Sequence, residues 1–231
     1  MSKVAICVGH SRDGDKGAKS INETSEWDYN QVVAEELAGI LTRSKIEAQV
    51  FDYYAGNNYV DSMSWLAKEI NAYGSSCAIE LHFNSATSDA DGYEYLYWHS
   101  STSGKRLAEC FHTAHQAMSF NQKSRGIKTK NDTSRGALFL RKPLCPCVIC
   151  EPFFGSSEKE WAMLGNLEGQ ALLAAIYANG IADYLQAPLS LNYRRPQPGG
   201  DRLTGDQVLL SRLARLEYDV AKLKARSPNE F

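Results

Sequence analysis

The chain has 231 residues, 43% of them hydrophobic and 23% charged, a composition that suits one sizeable globular domain with a short extension. The formal net charge of -2 and the pI of about 6.2 give no global basic field, so nucleic acid is not expected as a partner. No apolar run is long enough to cross a membrane, and residues 1–7 enter a strand-like run without a cleavage site. We therefore expect synthesis in the cytoplasm without an export signal.

The first part of the chain alternates between strand-like and helix-like patterns. An apolar run closed by Gly9 leads into a polar, glycine-bearing loop, and from Trp27 onward apolar side chains recur three or four residues apart. Glu26 lies at the start of that helix. The predicted elements are a strand at 3–8, a helix at 27–41, a strand at 46–53, a helix at 59–73 and a strand at 78–85. This order indicates a largely parallel sheet with helices on both faces.

The second part continues the same pattern up to about residue 185. The predicted elements are a strand at 93–99, a helix at 103–118, a polar loop at 121–135, strands at 137–140 and 147–153, and one long helix at 158–185. The fold class is therefore α/β, with a single twisted and largely parallel sheet of about six strands.

The six cysteines raise the question of a structural zinc site. Cys147 and Cys150 lie three apart in the last predicted strand, so they point to opposite faces and cannot share a ligand. Without a second CxxC pair, buried free thiols in a reducing compartment are the favoured interpretation. His112 and His115 lie one turn apart on a predicted helix and could share a metal, but we interpret them as solvated side chains on its polar face.

Four side chains fall where a parallel sheet collects functional groups, just beyond the carboxyl ends of its strands. His10, His82 and Glu151 follow or end three strands, and Glu26 opens the first helix. Two imidazoles and one carboxylate are a standard ligand set for catalytic zinc, which keeps one position open for water. Glu151 stands in an otherwise apolar strand, where a carboxylate is rarely buried without a partner or a task.

An ordered set of short motifs resembles the zinc-dependent N-acetylmuramoyl-L-alanine amidases of phage endolysins and bacterial autolysins across about residues 3–186. The set is Val8-Gly9-His10, Glu26 with Asn30, Leu81-His82-Phe83-Asn84, Arg125-Gly126-Ile127-Lys128, and Cys150-Glu151 with Phe154. The resemblance implies that His10, Glu26 and His82 bind Zn²⁺ and that Glu151 is the catalytic carboxylate. It also implies the bond cut, the amide between the lactyl group of N-acetylmuramic acid and L-alanine in peptidoglycan.

The chain departs from that family at two places. Cys7-Val8 stands where the family usually has Asp-Pro, and Glu80 stands where it usually has serine. Strand alternation places Glu80 on the same face as His82, where it would either crowd the metal or orient His82. We favour the orienting role. Asn84 and residues 125–128 are either ordinary loop residues or candidates for holding the sugar or the stem peptide.

The predicted domains are a catalytic domain at 1–186, a Pro/Gly linker at 187–202 and a helical tail at 203–231. The tail carries apolar residues spaced 4, 3, 4 and 3 apart, which predicts a short coiled coil and self-association; they are Leu209, Leu213, Leu216, Val220 and Leu223. Docking of the tail on its own domain, or contact of its basic residues with a membrane or wall, is the alternative.

The expected function is a phage-type endolysin that reaches a thin wall from inside after release, with peptidoglycan as its substrate. Two alternatives stay open. A zinc carboxypeptidase or deacylase would use the same groups on another amide and is distinguished by its product. An inactive wall-binding or structural module of the same fold is distinguished by metal analysis.

Overall fold

The computed structural model describes residues 2–118 and 122–190. Its elements are β1 (Lys3–Val8), α1 (Glu26–Arg43), β2 (Glu47–Phe51), α2 (Tyr59–Tyr73), β3 (Cys77–Leu81), β4 (Tyr93–Trp98), α3 (Thr102–Ala117), β5 (Ser124–Lys130), α4 (Ala137–Arg141), β6 (Cys147–Glu151), α5 (Glu158–Leu164) and α6 (Leu167–Leu185). The predicted helical tail, and most of the predicted linker, lie outside the described residues. No described helix combines the length and apolar character that a membrane crossing requires.

The six strands form one sheet in the order β2-β1-β3-β6-β4-β5. Every neighbouring pair is parallel except β4 and β6, which are antiparallel. This confirms the predicted α/β fold with a largely parallel sheet. Because β4 runs against β6, the beginnings of β4 and β5 lie at the same edge of the sheet as the carboxyl ends of β1, β3 and β6.

Alternating side chains of the strands pack into two layers. On one face, Ile79 and Cys150 join a large core with α1, α3 and α6, while on the other Ala78 and Cys147 pack with α2 and α4. Helices therefore cover both faces, as predicted. Cys147 and Cys150 point to opposite faces, which confirms the argument against a shared ligand, and all six cysteines are free thiols.

Residues 137–140, predicted as a strand, form the short helix α4. Gly136 precedes it with φ of 79°, a left-handed conformation that turns the chain before the helix begins. Its sequence Ala-Leu-Phe-Leu-Arg consists largely of good helix formers, and a short apolar run does not distinguish a strand from a buried helical turn. Phe139 and Leu140 pack against the sheet in the layer that contains α2.

The polar stretch predicted as a loop at 121–135 contains the edge strand β5. Its sequence Ser-Arg-Gly-Ile-Lys-Thr-Lys lacks the apolar alternation that predicts strands, and its burial pattern is mostly exposed. Hydrogen bonding to β4 supplies the order that the local sequence does not indicate. Charged residues are common on edge strands because they discourage pairing with another chain.

The predicted single helix at 158–185 is two helices. The first ends at Leu164, and the side chain of Asn166 caps the second by accepting a hydrogen bond from the Gly169 backbone N–H at 2.9 Å. A Cβ at Gly165 would lie 2.4 Å from the Trp161 ring, so the chain can turn tightly at this glycine. Both segments carry an apolar stripe, so the sequence pattern did not indicate the break between them.

His115 is fully buried rather than solvated, which corrects the interpretation of the two helical histidines. Its ring stacks on Tyr93 with centroids 3.7 Å apart, and its two nitrogens lie 2.7 Å from Tyr95 Oη and 2.9 Å from Gln122 Oε1. Burial lowers the pKa of His115 to about 3. His112 remains partly exposed. The two rings therefore lie in different environments although they are one helical turn apart.

Candidate active site

His10 is held in a tight turn beyond β1. Its φ is 69°, and the preceding Gly9 donates its backbone N–H to Leu81 O at 2.9 Å, which ties the turn to β3. A Cβ at Gly9 would lie 2.3 to 2.7 Å from three atoms of the His82 ring. Only glycine therefore lets this turn approach His82 so closely.

Glu26 lies in the first turn of α1, where Ser25 caps the helix and the helix dipole favours a negative charge. Its carboxylate is buried, with the residue 4% exposed. The backbone N–H groups of Ala18 and Phe83 donate to Oε2 and Oε1 respectively, each at 3.1 Å. Backbone donors from two segments thus fix the orientation of this carboxylate.

The structure brings His10, Glu26 and His82 together. His10 Nε2 lies 3.1 Å from Glu26 Oε2, and His82 Nδ1 lies 2.7 Å from Glu26 Oε1. One nitrogen or oxygen atom from each of the three residues lies within 4.8 Å of the others. Burial alone would raise the pKa of Glu26, but hydrogen bonds from the two histidines outweigh it and lower that pKa to about 2. Glu26 is therefore an anion.

The donor set and the space around it fit a zinc ion. Two imidazoles and one carboxylate are ligands that zinc takes in catalytic sites. Gly17, with φ of 80°, lies so close that a Cβ there would be 2.5 to 2.7 Å from His10 and Glu26 side-chain atoms. A side chain at that position would fill the space beside His10 and Glu26. The sequence analysis did not single out Gly17, although a glycine in the loop between β1 and α1, which carry the candidate residues, was an available indication.

Glu80 contacts the other side of the His82 ring. Glu80 Oε2 lies 3.3 Å from His82 Nε2, while His82 Nδ1 faces Glu26. Burial would lower the pKa of His82, but the hydrogen bonds to Glu26 and Glu80 outweigh it and raise that pKa well above its ordinary value. The predicted contact between Glu80 and His82 is therefore present, with Glu80 on the nitrogen that does not face Glu26.

Glu151 ends β6 beside His82, whose backbone N–H donates to Cys150 O at 3.1 Å. Its Oε2 is buried and has no hydrogen-bond partner in the described part of the chain. Burial raises the pKa of Glu151 to about 8, with His82 opposing this shift and Glu26 adding to it. A carboxyl group in this environment can hold a proton near neutral pH, which suits an acid and base catalyst.

Replacement of Glu151 by glutamine is expected to stabilise the protein once metal has been removed by a chelator. Folding raises the pKa of Glu151 from 4.5 to about 8, so its favourable contribution is complete below pH 4.5 and is lost as the pH rises through 8. Glutamine cannot ionise. We expect the melting temperature of Glu151→Gln to exceed that of wild type by a margin that grows by several degrees from pH 5 to 8, at about 2–4 °C per kcal/mol.

Thermal unfolding followed by circular dichroism at several pH values measures this margin. Glu109→Gln is the matched control, because Glu109 is exposed on α3 and its side chain faces Lys105 at 3.7 Å. A margin for Glu151→Gln that does not change with pH would contradict the raised pKa.

Opposite Glu151, β4 contributes a further carboxylate, Glu94, that the sequence analysis did not single out. Glu94 is directly opposite Glu151 in the β4–β6 pairing, and it is 8% exposed. The sequence pattern around Glu94 resembles that around Glu151, because each is a carboxylate inside a strand of aromatic and apolar residues. Arg125 and Lys128 both contact it, and Asn84 approaches it at 3.5 Å. The motif residues 84 and 125–128 are thus brought to this edge of the sheet.

Comparisons with known proteins agree with this fold and site. A family model described as N-acetylmuramoyl-L-alanine amidase matches residues 4–183. The catalytic domain of CwlV, an N-acetylmuramoyl-L-alanine amidase from Bacillus (Paenibacillus) polymyxa var. colistinus, is 25% identical with a TM-score of 0.69, covering 81% of this chain and 100% of that one. An N-acetylmuramoyl-L-alanine amidase from Clostridium difficile 630 is 26% identical with a TM-score of 0.67, covering 80% and 97% respectively.

The catalytic domain of the CD27L endolysin targeting Clostridia difficile is 22% identical with a TM-score of 0.67, covering 79% of this chain and 98% of that one, a likeness of fold alone. No curated protein matches the chain. The family model spans most of the chain, from β1 into the last turn of α6. The chain therefore belongs to the N-acetylmuramoyl-L-alanine amidase family.

Proposed function

We propose that this protein hydrolyses the amide between N-acetylmuramic acid and L-alanine in peptidoglycan, with a zinc ion held by His10, Glu26 and His82 and with Glu151 as the catalytic carboxylate. The observation that carries the proposal is the convergence of the three proposed ligand groups within 4.8 Å beside Glu151, whose Oε2 is buried and has no hydrogen-bond partner among the described residues. Membership of the amidase family supplies the substrate class.

Zinc, when bound, supplies a Lewis acid that polarises the scissile carbonyl and acidifies water. Zinc ligands must be deprotonated, so His82 would hold the ion as a neutral imidazole, with its Nδ1 facing Glu26. Its Nε2 then donates to Glu80, and this contact holds the imidazole in one orientation. Glu80 thereby orients the His82 ring, which is the role that we favour for it.

Glu151 acts on protons during the reaction. As a base it takes the proton of the attacking water, and as an acid it returns that proton to the nitrogen of L-alanine as the amide bond breaks. Glu151 stands at the end of β6 beside His82, and in the part of the chain that the structure describes its Oε2 accepts no hydrogen bond. One carboxyl group can therefore serve both steps.

The product identifies the bond cut. Purified peptidoglycan incubated with the zinc-loaded protein should release peptides that begin with a free L-alanine amine, and the glycan strands should gain free lactyl carboxyl groups. Mass spectrometry of the soluble and insoluble fractions measures both. Peptides shortened at their carboxyl ends would indicate a zinc carboxypeptidase, and loss of acetyl groups would indicate a deacylase.

An inactive wall-binding or structural module of the same fold is the non-enzymatic alternative. It predicts no release from peptidoglycan, and metal analysis that finds no zinc in the purified protein would favour it. Among the described residues the buried Oε2 of Glu151 has no hydrogen-bond partner, which disfavours this alternative, because a buried carboxylate oxygen without a partner destabilises the fold and has no use in a module that only binds.

A phage-type endolysin is the biological role we propose. The likeness in fold to the catalytic domain of the CD27L endolysin supports it. The substrate would then be wall peptidoglycan reached after release from the cell. Added to outer-membrane-permeabilised Gram-negative cells, the protein should lower their turbidity, and an unchanged turbidity would contradict this role.

We also propose a catalytic domain at 1–186, a linker at 187–202 and a helical tail at 203–231 that self-associates. The spacing of the tail leucines supports this, while residues beyond 190 lie outside the described structure. Light scattering should then give a larger oligomer for the full chain than for a version ending at Gln186. If the full chain and the shortened version are both monomeric at tens of micromolar, self-association is contradicted.

A further inference from the structure

The edge of the sheet next to Glu151 carries a cluster of three charged residues, Glu94, Arg125 and Lys128. Arg125 Nε donates to Glu94 Oε2 at 2.7 Å, and Lys128 Nζ donates to the same oxygen at 2.6 Å. Burial would raise the pKa of Glu94, but the two cations outweigh it and lower that pKa, so the carboxylate is charged. One anion and two cations leave the cluster with one positive charge that no member of the cluster balances.

A bulge in β5 brings both cations to the same carboxylate. Residues three apart in a regular strand point to opposite faces, so Arg125 and Lys128 would not ordinarily share a partner. Between the pairs Tyr93–Ser124 and Tyr95–Ile127 the register shifts, and Gly126 there has φ of 78°. Bulges re-aim side chains and are frequent next to active sites. The irregular backbone is what places two cations on one side.

Both cations keep donors that can reach a ligand. Arg125 uses Nε for Glu94, and in the described part of the chain its two terminal amino groups have no hydrogen-bond partner. Its guanidinium lies over the Phe154 ring, 5.1 Å from the centroid, which holds the plane in place. The side chains of Arg125 and Lys128 are 33% and 43% exposed. An oriented guanidinium with free amino groups is the usual partner of a carboxylate.

The distance to the catalytic carboxylate suits a neighbouring residue of the substrate. Glu94 and Glu151 are opposite each other in the pairing of β4 and β6, so their side chains share a face. Strands lie about 4.8 Å apart, which puts β5 roughly 10 Å from the strand of Glu151. An extended peptide advances about 3.4 Å per residue, so a side group one or two residues beyond the scissile amide reaches this far.

We infer that Arg125 and Lys128 form a carboxylate-binding subsite that recognises an acidic residue of the stem peptide, on the L-alanine side of the scissile amide. The inference rests on the proposed function and adds the direction in which the substrate binds. The peptide lies toward β5, and the lactyl group and sugar lie toward β1 and β2. Glu94 holds the two cations in place, and their remaining N–H donors bind the carboxylate of the substrate.

Two muramoyl tripeptides test the subsite. They differ only at the second stem residue, whose free carboxyl group is a carboxylate in one and a carboxamide in the other, and both end in an amide. Wild-type enzyme should prefer the carboxylate by about 10-fold or more in kcat/KM, the scale of a charge-assisted hydrogen bond. Equal values for the two substrates would overturn the inference and leave the proposed reaction intact.

Arg125→Met and Lys128→Met should each reduce this preference by raising KM for the carboxylate substrate, with kcat on the carboxamide within about threefold of wild type. Lys123→Met is the matched control, because it removes the same charge nearby from a residue that pairs with Asp91 at 3.1 Å. The control should keep the full preference. If the Arg125 and Lys128 variants slow both substrates equally, the cations serve only to hold Glu94, and the subsite does not exist.

A binding measurement separates the subsite from the reaction. Calorimetric titration of the zinc-loaded protein with the free stem tripeptides, which contain no scissile bond, should show tighter binding of the carboxylate form, and Arg125→Met should abolish the difference. If no muramoyl peptide is hydrolysed but this difference is present, the proposed reaction fails while the subsite stands. Equal binding of the two tripeptides overturns the subsite whatever the hydrolysis results are.

Discussion

Replacement of His82 by alanine is expected to remove zinc and amidase activity together. Two protein ligands would remain where three are proposed, and loss of even a hydrogen-bond partner of a zinc ligand lowers metal affinity by roughly 10- to 100-fold. We expect a larger loss here, with zinc well below one ion per chain after dialysis. Metal analysis by mass spectrometry and release of L-alanine-terminated peptides measure the two quantities on one sample.

The His82 variant also leaves Glu26 and Glu80 without the imidazole that lies between them, so its folding must be checked by circular dichroism. His10→Asn is a second variant, because asparagine tolerates the left-handed backbone at φ of 69° and is not an ordinary zinc ligand. His99→Ala, at an exposed histidine outside the site, is the matched control. Full zinc and full activity in a folded His82 or His10 variant would reject the proposed metal site.

Replacement of Glu151 by glutamine is expected to retain zinc but to lose most turnover. An amide cannot take a proton from water and return it to the leaving amine, and general acid and base catalysis contributes about 100- to 10,000-fold. The residue is not among the three proposed ligands, so zinc should stay near the wild-type amount. Initial rates on a muramoyl peptide, normalised to bound zinc, isolate the chemical contribution from metal loss.

Glu151→Asp provides the matched comparison, since it keeps the carboxyl group and shortens it by one methylene. We expect it to recover part of the lost rate, because the group can still move a proton from a less favourable position. Glu109→Gln on α3 should behave as wild type. Near wild-type turnover in zinc-loaded Glu151→Gln would remove Glu151 from the mechanism.

Much of the site could be predicted from local patterns. Strand and helix periodicity located the ends of β1, β3 and β6, and the rule that parallel strands expose functional groups at their carboxyl ends placed His10, His82 and Glu151 at one edge. The period of two in a strand also separated Cys147 from Cys150. These inferences succeeded because each depends on residues close together in the chain.

Other features depend on partners far away in sequence. The short helix α4 and the edge strand β5 were missed because a brief apolar run and a charged stretch are ambiguous until they pack or pair with distant segments. The burial of His115 follows from the packing of α3 on α6 and on the aromatic strand β4. Helical spacing alone describes which side chains share a face, and it does not say how much of that face is covered.

Strand direction and register are the clearest example of what only the tertiary structure decided. Nothing in the local sequence indicates that β4 runs antiparallel to β6, yet that direction sets Glu94 against Glu151. The bulge at Gly126 then turns Arg125 and Lys128 onto one carboxylate, against the alternation of a regular strand. Periodicity encodes the conformation of a segment, whereas the neighbours of a strand are selected by the packing of the whole sheet. The convergence of the three proposed ligand residues was therefore predictable from the sequence, and the charged cluster beside them was not.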